Sequence, residues 1–149
     1  MRAHRGFTLI ELLVVFALLA LLVGVVPVAF ERLRESAQYR NTVRGMMSDM
    51  RAARQRAISE GVEVRFRLDL TNRIFGVDGR PSHEVPEPLQ LRATVAAVEL
   101  SGAQVAAVRF LPQGGATGGS IEVIRPSGAG VRLTVDWLSG AVAQSAIQQ

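Results

Sequence analysis

Glu11 is a carboxylate set in an apolar stretch. Phe7-Thr8-Leu9-Ile10 precede it, and Leu12–Phe30 follow without one charge. A carboxylate inside lipid costs about 2.5–3.5 kcal/mol on insertion scales, so it is rarely found there without a partner. The chemistry this position invites is charge pairing. A short basic leader, Met1-Arg2-Ala3-His4-Arg5-Gly6, abuts the apolar stretch directly. Other chemistry is harder to build from these residues. Gly114-Gly-Ala-Thr-Gly-Gly119 resembles a phosphate loop, but a Walker loop needs Lys after its last glycine and Ser120 stands there. The predicted local order is strand–loop–strand, so no helix N-terminus meets an anion. His83 is the one histidine beyond the leader, and one His without Cys makes no zinc site. Asp78, Glu84 and Glu87 lack the spacing of a calcium loop. No nucleophile sits in an elbow or triad pattern, and the Asp136-Trp137 pair alone makes no propeller repeat. The reading is a non-enzyme with no cofactor and no metal.

The elements that must position Glu11 follow from the pattern around it. Residues 7–30 as a helix would measure about 36 Å, enough to cross a hydrocarbon core of about 30 Å. A secretory signal has a shorter apolar core and a small-x-small cleavage site, which Pro27-Val28-Ala29 matches poorly. The helical pattern then continues. Phe30, Leu33, Ala37, Val43, Met47, Met50, Ala53 and Ala57 recur at spacings of three and four, an amphipathic stripe over residues 31–61. Met46, Met47 and Met50 read as core contacts. Pro27 and Gly24 should loosen the helix locally, and Gly61 should stop it. The period then changes to two. Val62, Val64, Phe66 and Leu68 alternate with Glu63, Arg65, Arg67 and Asp69, a half-buried strand. A turn at Leu70–Arg73 leads into Ile74–Val77, and a Pro-rich loop runs to Pro88. Val95–Leu100 and Val105–Phe110 read as a hairpin, and Ile121–Ile124 and Val131–Leu138 as further strands. Val131, Leu133, Val135 and Trp137 should share a face. The expected fold class is α+β: a long N-terminal helix packed on an antiparallel β-sheet. The expected organisation is a leader at 1–6, a transmembrane helix at 7–30, its amphipathic continuation at 31–61 and a β-sheet domain at 62–149.

Composition excludes some classes. The 149 residues suffice for one modest domain plus the helix. With no cysteine there is no disulfide framework and no thiolate metal site. All 17 basic residues are arginine, against 13 acids. Such a chain invites a nucleic-acid reading, but the leader holds two of those arginines and the remainder is nearly balanced.

Gly6-Phe7-Thr8-Leu9-Ile10-Glu11 before an apolar run is the processing motif of type IV pilin-like proteins, and the chain resembles them strongly over residues 6–30. Ala52–Gly61 before a Val-rich strand resembles the helix end of the GspH/FimT family. Phe110–Gly119 and Val135-Asp-Trp-Leu-Ser-Gly140 resemble the C-terminal part of its H-type members, minor pseudopilins of type II secretion. Where that family often has Thr before its last glycine and Arg-Val after it, Ser139, Ala141 and Val142 stand here. The resemblance implies a pilin-like fold, cleavage after Gly6 by a prepilin peptidase, N-methylation of Phe7, and assembly through Glu11 with a neighbour's Phe7 amine. It implies partners among major and minor pseudopilins, an inner-membrane secretion platform and exoprotein substrates, with no specific nucleic acid. It places the leader in the cytoplasm and the C-terminal domain in the periplasm, although Arg32, Arg34, Arg40 and Arg44 outnumber Arg2 and Arg5 and favour the opposite sense. The alternative is a FimT-like minor pilin serving adhesion or DNA uptake. Such DNA binders carry an Arg-rich tail, whereas Ser139–Gln149 has no cation.

Overall fold

The computed structural model describes residues 7–95 and 104–147, with the side chains of 22–30 and 32 outside the description. The chain divides into two compact units that meet between Ala37 and Gln38. One helix, α1 (Leu9–Glu60), contributes to both and continues through Pro27. Gly61 ends it. That glycine has φ +68° and donates its N–H to the Ala57 carbonyl at 3.1 Å, the left-handed stop that only glycine adopts without strain.

In the C-terminal unit α1 presents one apolar stripe. Tyr39, Val43, Met46, Met50, Ala53 and Ala57 are buried, spaced four, three, four, three and four. Alternation of three and four keeps side chains on one face of a helix of about 3.6 residues per turn. The methionines are packed core, as their spacing suggested: Met46 and Met50 are fully buried and Met47 packs against them.

Eight strands follow: β1 (Val64–Asp69), β2 (Ile74–Val77), β3 (His83–Glu84), β4 (Gln90–Val95), β5 (Val105–Phe110), β6 (Gly119–Ile124), β7 (Gly130–Val135) and β8 (Val142–Ile147). They form two antiparallel sheets rather than the single sheet expected, ordered β3-β2-β1-β5 and β4-β6-β7-β8. The inner face of the first carries Val64, Phe66, Leu68, Phe75, Val77, Val108 and Phe110. The second contributes Ile121, Val123, Val131, Leu133 and Val135. Both join the helix stripe in one hydrophobic cluster. At about 25 cal/mol per Å² of apolar surface, burial of this kind is the main force holding helix to sheets.

The turns have local causes. Asp69 accepts the Thr71 and Asn72 amides at 2.9 and 2.8 Å, which closes the β1–β2 hairpin. Arg73 then takes φ +53°, held there by donating to the Val85, Pro86 and Leu89 carbonyls. Three expectations differ from the structure. Val95 closes β4, which pairs with β6, while β5 pairs with β1 in the other sheet. The expected hairpin of 95–100 with 105–110 otherwise lies outside the described residues. Val62 precedes β1 and is exposed. Trp137 does not share the inner face of β7: the strand ends at Val135 and Trp137 is 68 % exposed. Asp136 turns the chain there, accepting the Ser139 hydroxyl at 2.6 Å and its amide at 2.8 Å. Those hydrogen bonds hold the Asp136 carboxyl below its ordinary range.

Candidate functional site

The start of α1 is built from the residues singled out in the sequence. Gly6 lies outside the described residues. Phe7 is 86 % exposed and precedes the first helical turn. Thr8 caps the helix. Its Oγ1 accepts the Glu11 amide at 3.3 Å, and its carbonyl accepts the Leu12 amide at 3.2 Å. Thr8-x-x-Glu11 is thus the sequence of a capping box, in which Ser or Thr precedes Glu by three residues. The signal is present in the sequence, where the charge of Glu11 is its more conspicuous feature. Glu11 lies in the first turn, where the positive end of the helix dipole favours an anion. No cation of the described residues pairs with its carboxylate.

Around Glu11 the helix is apolar on every side. Leu9, Ile10, Leu12, Leu13, Val14, Val15, Phe16, Leu18, Leu19 and Leu21 are all exposed. A helix apolar all round belongs in a core or in lipid, not in water. Among the described residues no helix is long and apolar enough to cross a membrane. The span expected over 7–30 runs into 22–30, whose side chains are outside the description.

The remaining candidates resolve into structure. His83 lies on β3 with its Nε2 3.6 Å from the Asp49 carboxylate of α1, and its ring stacks near Phe75. Burial raises the Asp49 carboxyl above its ordinary range, opposed by His83 and Arg80. Asp78 pairs with Arg67 at 2.9 Å. Among the described residues no group of three or more His, Asp or Glu could hold a metal ion. The Gly114–Gly119 segment is packed against the 136–140 turn. A Cβ on Gly115 would lie 3.1 Å from the Trp137 carbonyl, and one on Gly140 only 2.5 Å from that of Gly114. Arg54 of α1 closes the same cluster, donating its Nε–H to the Ser139 carbonyl at 2.9 Å. This clasp joins residues 85 apart, and nothing in the local pattern announced it. The glycines serve close packing.

Comparison with known proteins agrees with both ends of the chain. Residues 42–140 match the family model described as type II transport protein GspH, and residues 1–27 match that of the prokaryotic N-terminal methylation motif. The chain is 30 % identical over 141 residues to the type II secretion system protein H of Xanthomonas campestris pv. campestris, covering 95 % of this chain and 83 % of the relative. Its fold is similar to that of the minor pseudopilin EpsH from the type 2 secretion system of Vibrio cholerae, with TM-score 0.58, 15 % identity, and coverage of 73 % of this chain and 97 % of that one. A helix with an apolar stripe, antiparallel sheets laid over it and a methylation motif at its head are found together because this chain belongs to the GspH family.

Proposed function

We propose that this protein is a minor pseudopilin of the type II secretion system, a structural subunit at or near the tip of a periplasmic pseudopilus that helps folded exoproteins cross the outer membrane. The observation that carries this reading is the joining of a methylation-motif start to a GspH domain in one chain. In this reading a prepilin peptidase cuts after Gly6 and methylates the new amine of Phe7. Residues 7–30 span the inner membrane as a single pass, with the leader cytoplasmic and the domain periplasmic. The partners are other major and minor pseudopilins, the prepilin peptidase, the inner-membrane platform and exoprotein substrates.

Glu11 supplies the assembly chemistry. Its carboxylate is exposed on a turn whose neighbouring side chains are apolar and exposed too. A neighbour's Phe7 amine beside it offsets the desolvation of both charges, which neither group bears alone. The pairing also fixes the register of one subunit on the next. Intact-mass measurement of protein extracted from membranes tests the processing. The mature species should lack residues 1–6 and carry one added methyl. Retention of Met1–Gly6 in cells with an active prepilin peptidase overturns the reading.

A further inference from the structure

α1 carries a second stripe beside the buried one. Arg40, Arg44, Met47, Arg51, Arg54 and Ile58 are spaced four, three, four, three and four. Each follows a member of the buried stripe by one residue, so the second stripe is turned from the first by about 100° around the helix. It repeats the spacing that seats α1 on the sheets, yet most of it is bare. Arg40, Arg44 and Arg51 are exposed, and Ile58 is 41 % exposed. Met47 leans on the core, and the Ser139 carbonyl fixes Arg54.

The three exposed arginines are uncompensated. Among the described residues no ion pair holds Arg40, Arg44 or Arg51. The two acids of this part of the helix, Asp49 and Glu60, face His83 and Arg56 instead. Like charges three or four residues apart, as in Arg40–Arg44 and Arg51–Arg54, repel one another along a helix. The row therefore costs the isolated domain stability, and an acidic partner relieves it.

Spacing and composition indicate that partner. Steps of three and four present knobs to a second helix, whose own rows fit between them. Charge complementarity calls for carboxylates opposite the arginines. Met47 and Ile58 interrupt the cations with apolar surface, which another protein rewards and a chain of phosphates does not. We propose that this stripe docks a helix of a neighbouring pilin-like subunit, with carboxylates facing Arg40, Arg44 and Arg51 and apolar side chains facing Met47 and Ile58. The proposal rests on the reading of this protein as an assembling subunit. The mass of the processed species tests that reading separately, so the two failures are told apart.

A synthetic helical peptide serves as the probe, added to the full-length protein in non-ionic detergent. Its Glu residues are spaced four and seven apart to face the three arginines, its Leu residues face Met47 and Ile58, and it is made in both chain directions. A control of the same composition carries its Glu on the opposite face. At ~50 mM salt one direction of the facing peptide should bind about tenfold more tightly than its control, what three exposed ion pairs together supply. The triple variant R40E/R44E/R51E should lose that preference, and a peptide with Lys in place of Glu should restore it. The triple variant R40Q/R44Q/R51Q should also lose it, while its unfolding midpoint stays level or rises as the repulsion is removed. Equal binding of facing and control peptides, binding insensitive to the arginines, or a fall in that midpoint overturns the proposal. So does displacement of the peptide by duplex DNA or polyphosphate at equal charge concentration, which would assign the row to phosphates.

Discussion

Glu11 has two separable roles at the residue scale, and one substitution divides them. It stands at the third helical position behind the Thr8 cap, where Gln serves a capping box as well as Glu. Only the charge pairs with an amine. Glu11→Gln should therefore enter the membrane and keep the helix start, yet crosslink to neighbouring pseudopilins several-fold less than wild type. Unchanged crosslinking would refute the pairing. Thr8→Ala should instead weaken the cap by about 0.5–2 kcal/mol, read as fraying of the first turn by amide exchange. Gly140 gives the sharpest test within the domain. It has φ +64°, and a methyl group would strike the Gly114 carbonyl. Gly140→Ala should cost about 1–3 kcal/mol from backbone strain alone, lowering the unfolding midpoint, with the clash adding to it. Glu11 was legible in the sequence because a lone charge in an apolar run stands out. The Arg54–Ser139 clasp was not, since a contact between distant residues leaves no periodic trace.

At the scale of elements, the helix stripe was legible in outline and wrong at one end. Both Leu33 and Met50 fit the three-and-four spacing, yet Met50 is fully buried and Leu33 is 68 % exposed. Met50→Ala should cost about 2–5 kcal/mol in denaturant unfolding, while Leu33→Ala should change it by less than about 0.5 kcal/mol. Equal effects would show that the stripe packs further toward the N-terminus. The β1–β2 hairpin and the β6–β7 turn were also readable, because turn residues and alternation are local signals. Strand pairing was not readable. The pattern of 95–100 suggests a hairpin with 105–110, yet Val95 closes β4 in the other sheet from β5, and 96–100 lie outside the described residues. β8 leaves no periodic signal in the sequence, for a physical reason. A strand exposed along both faces has no buried side to impose alternation.

For the molecule as a whole, the C-terminal unit contains every member of the core cluster. Residues 31–149 should therefore fold without the N-terminal segment, giving mixed helix and strand with cooperative melting in circular dichroism. An unfolded spectrum would mean that the core needs a partner. The same fragment should bind duplex DNA more weakly than about 0.1 mM at ~150 mM salt, because phosphate contacts supply non-specific affinity. Three of its arginines are already engaged, Arg67 by Asp78, Arg132 by Glu122 and Arg73 by three carbonyls, and its last eleven residues carry no cation. A salt-resistant mobility shift would favour the DNA-uptake alternative. The buried stripe of α1 also has a mechanical meaning. Tyr39 to Ala57 lie side by side along the helix, and Arg54 ties its last turns to the 136–140 turn. Tension along α1 thus loads these contacts in shear, all together, instead of peeling them one after another. A thrust delivered through the helix would carry the domain with it, and the domain should yield as a unit at high force, not unravel at low force from one end.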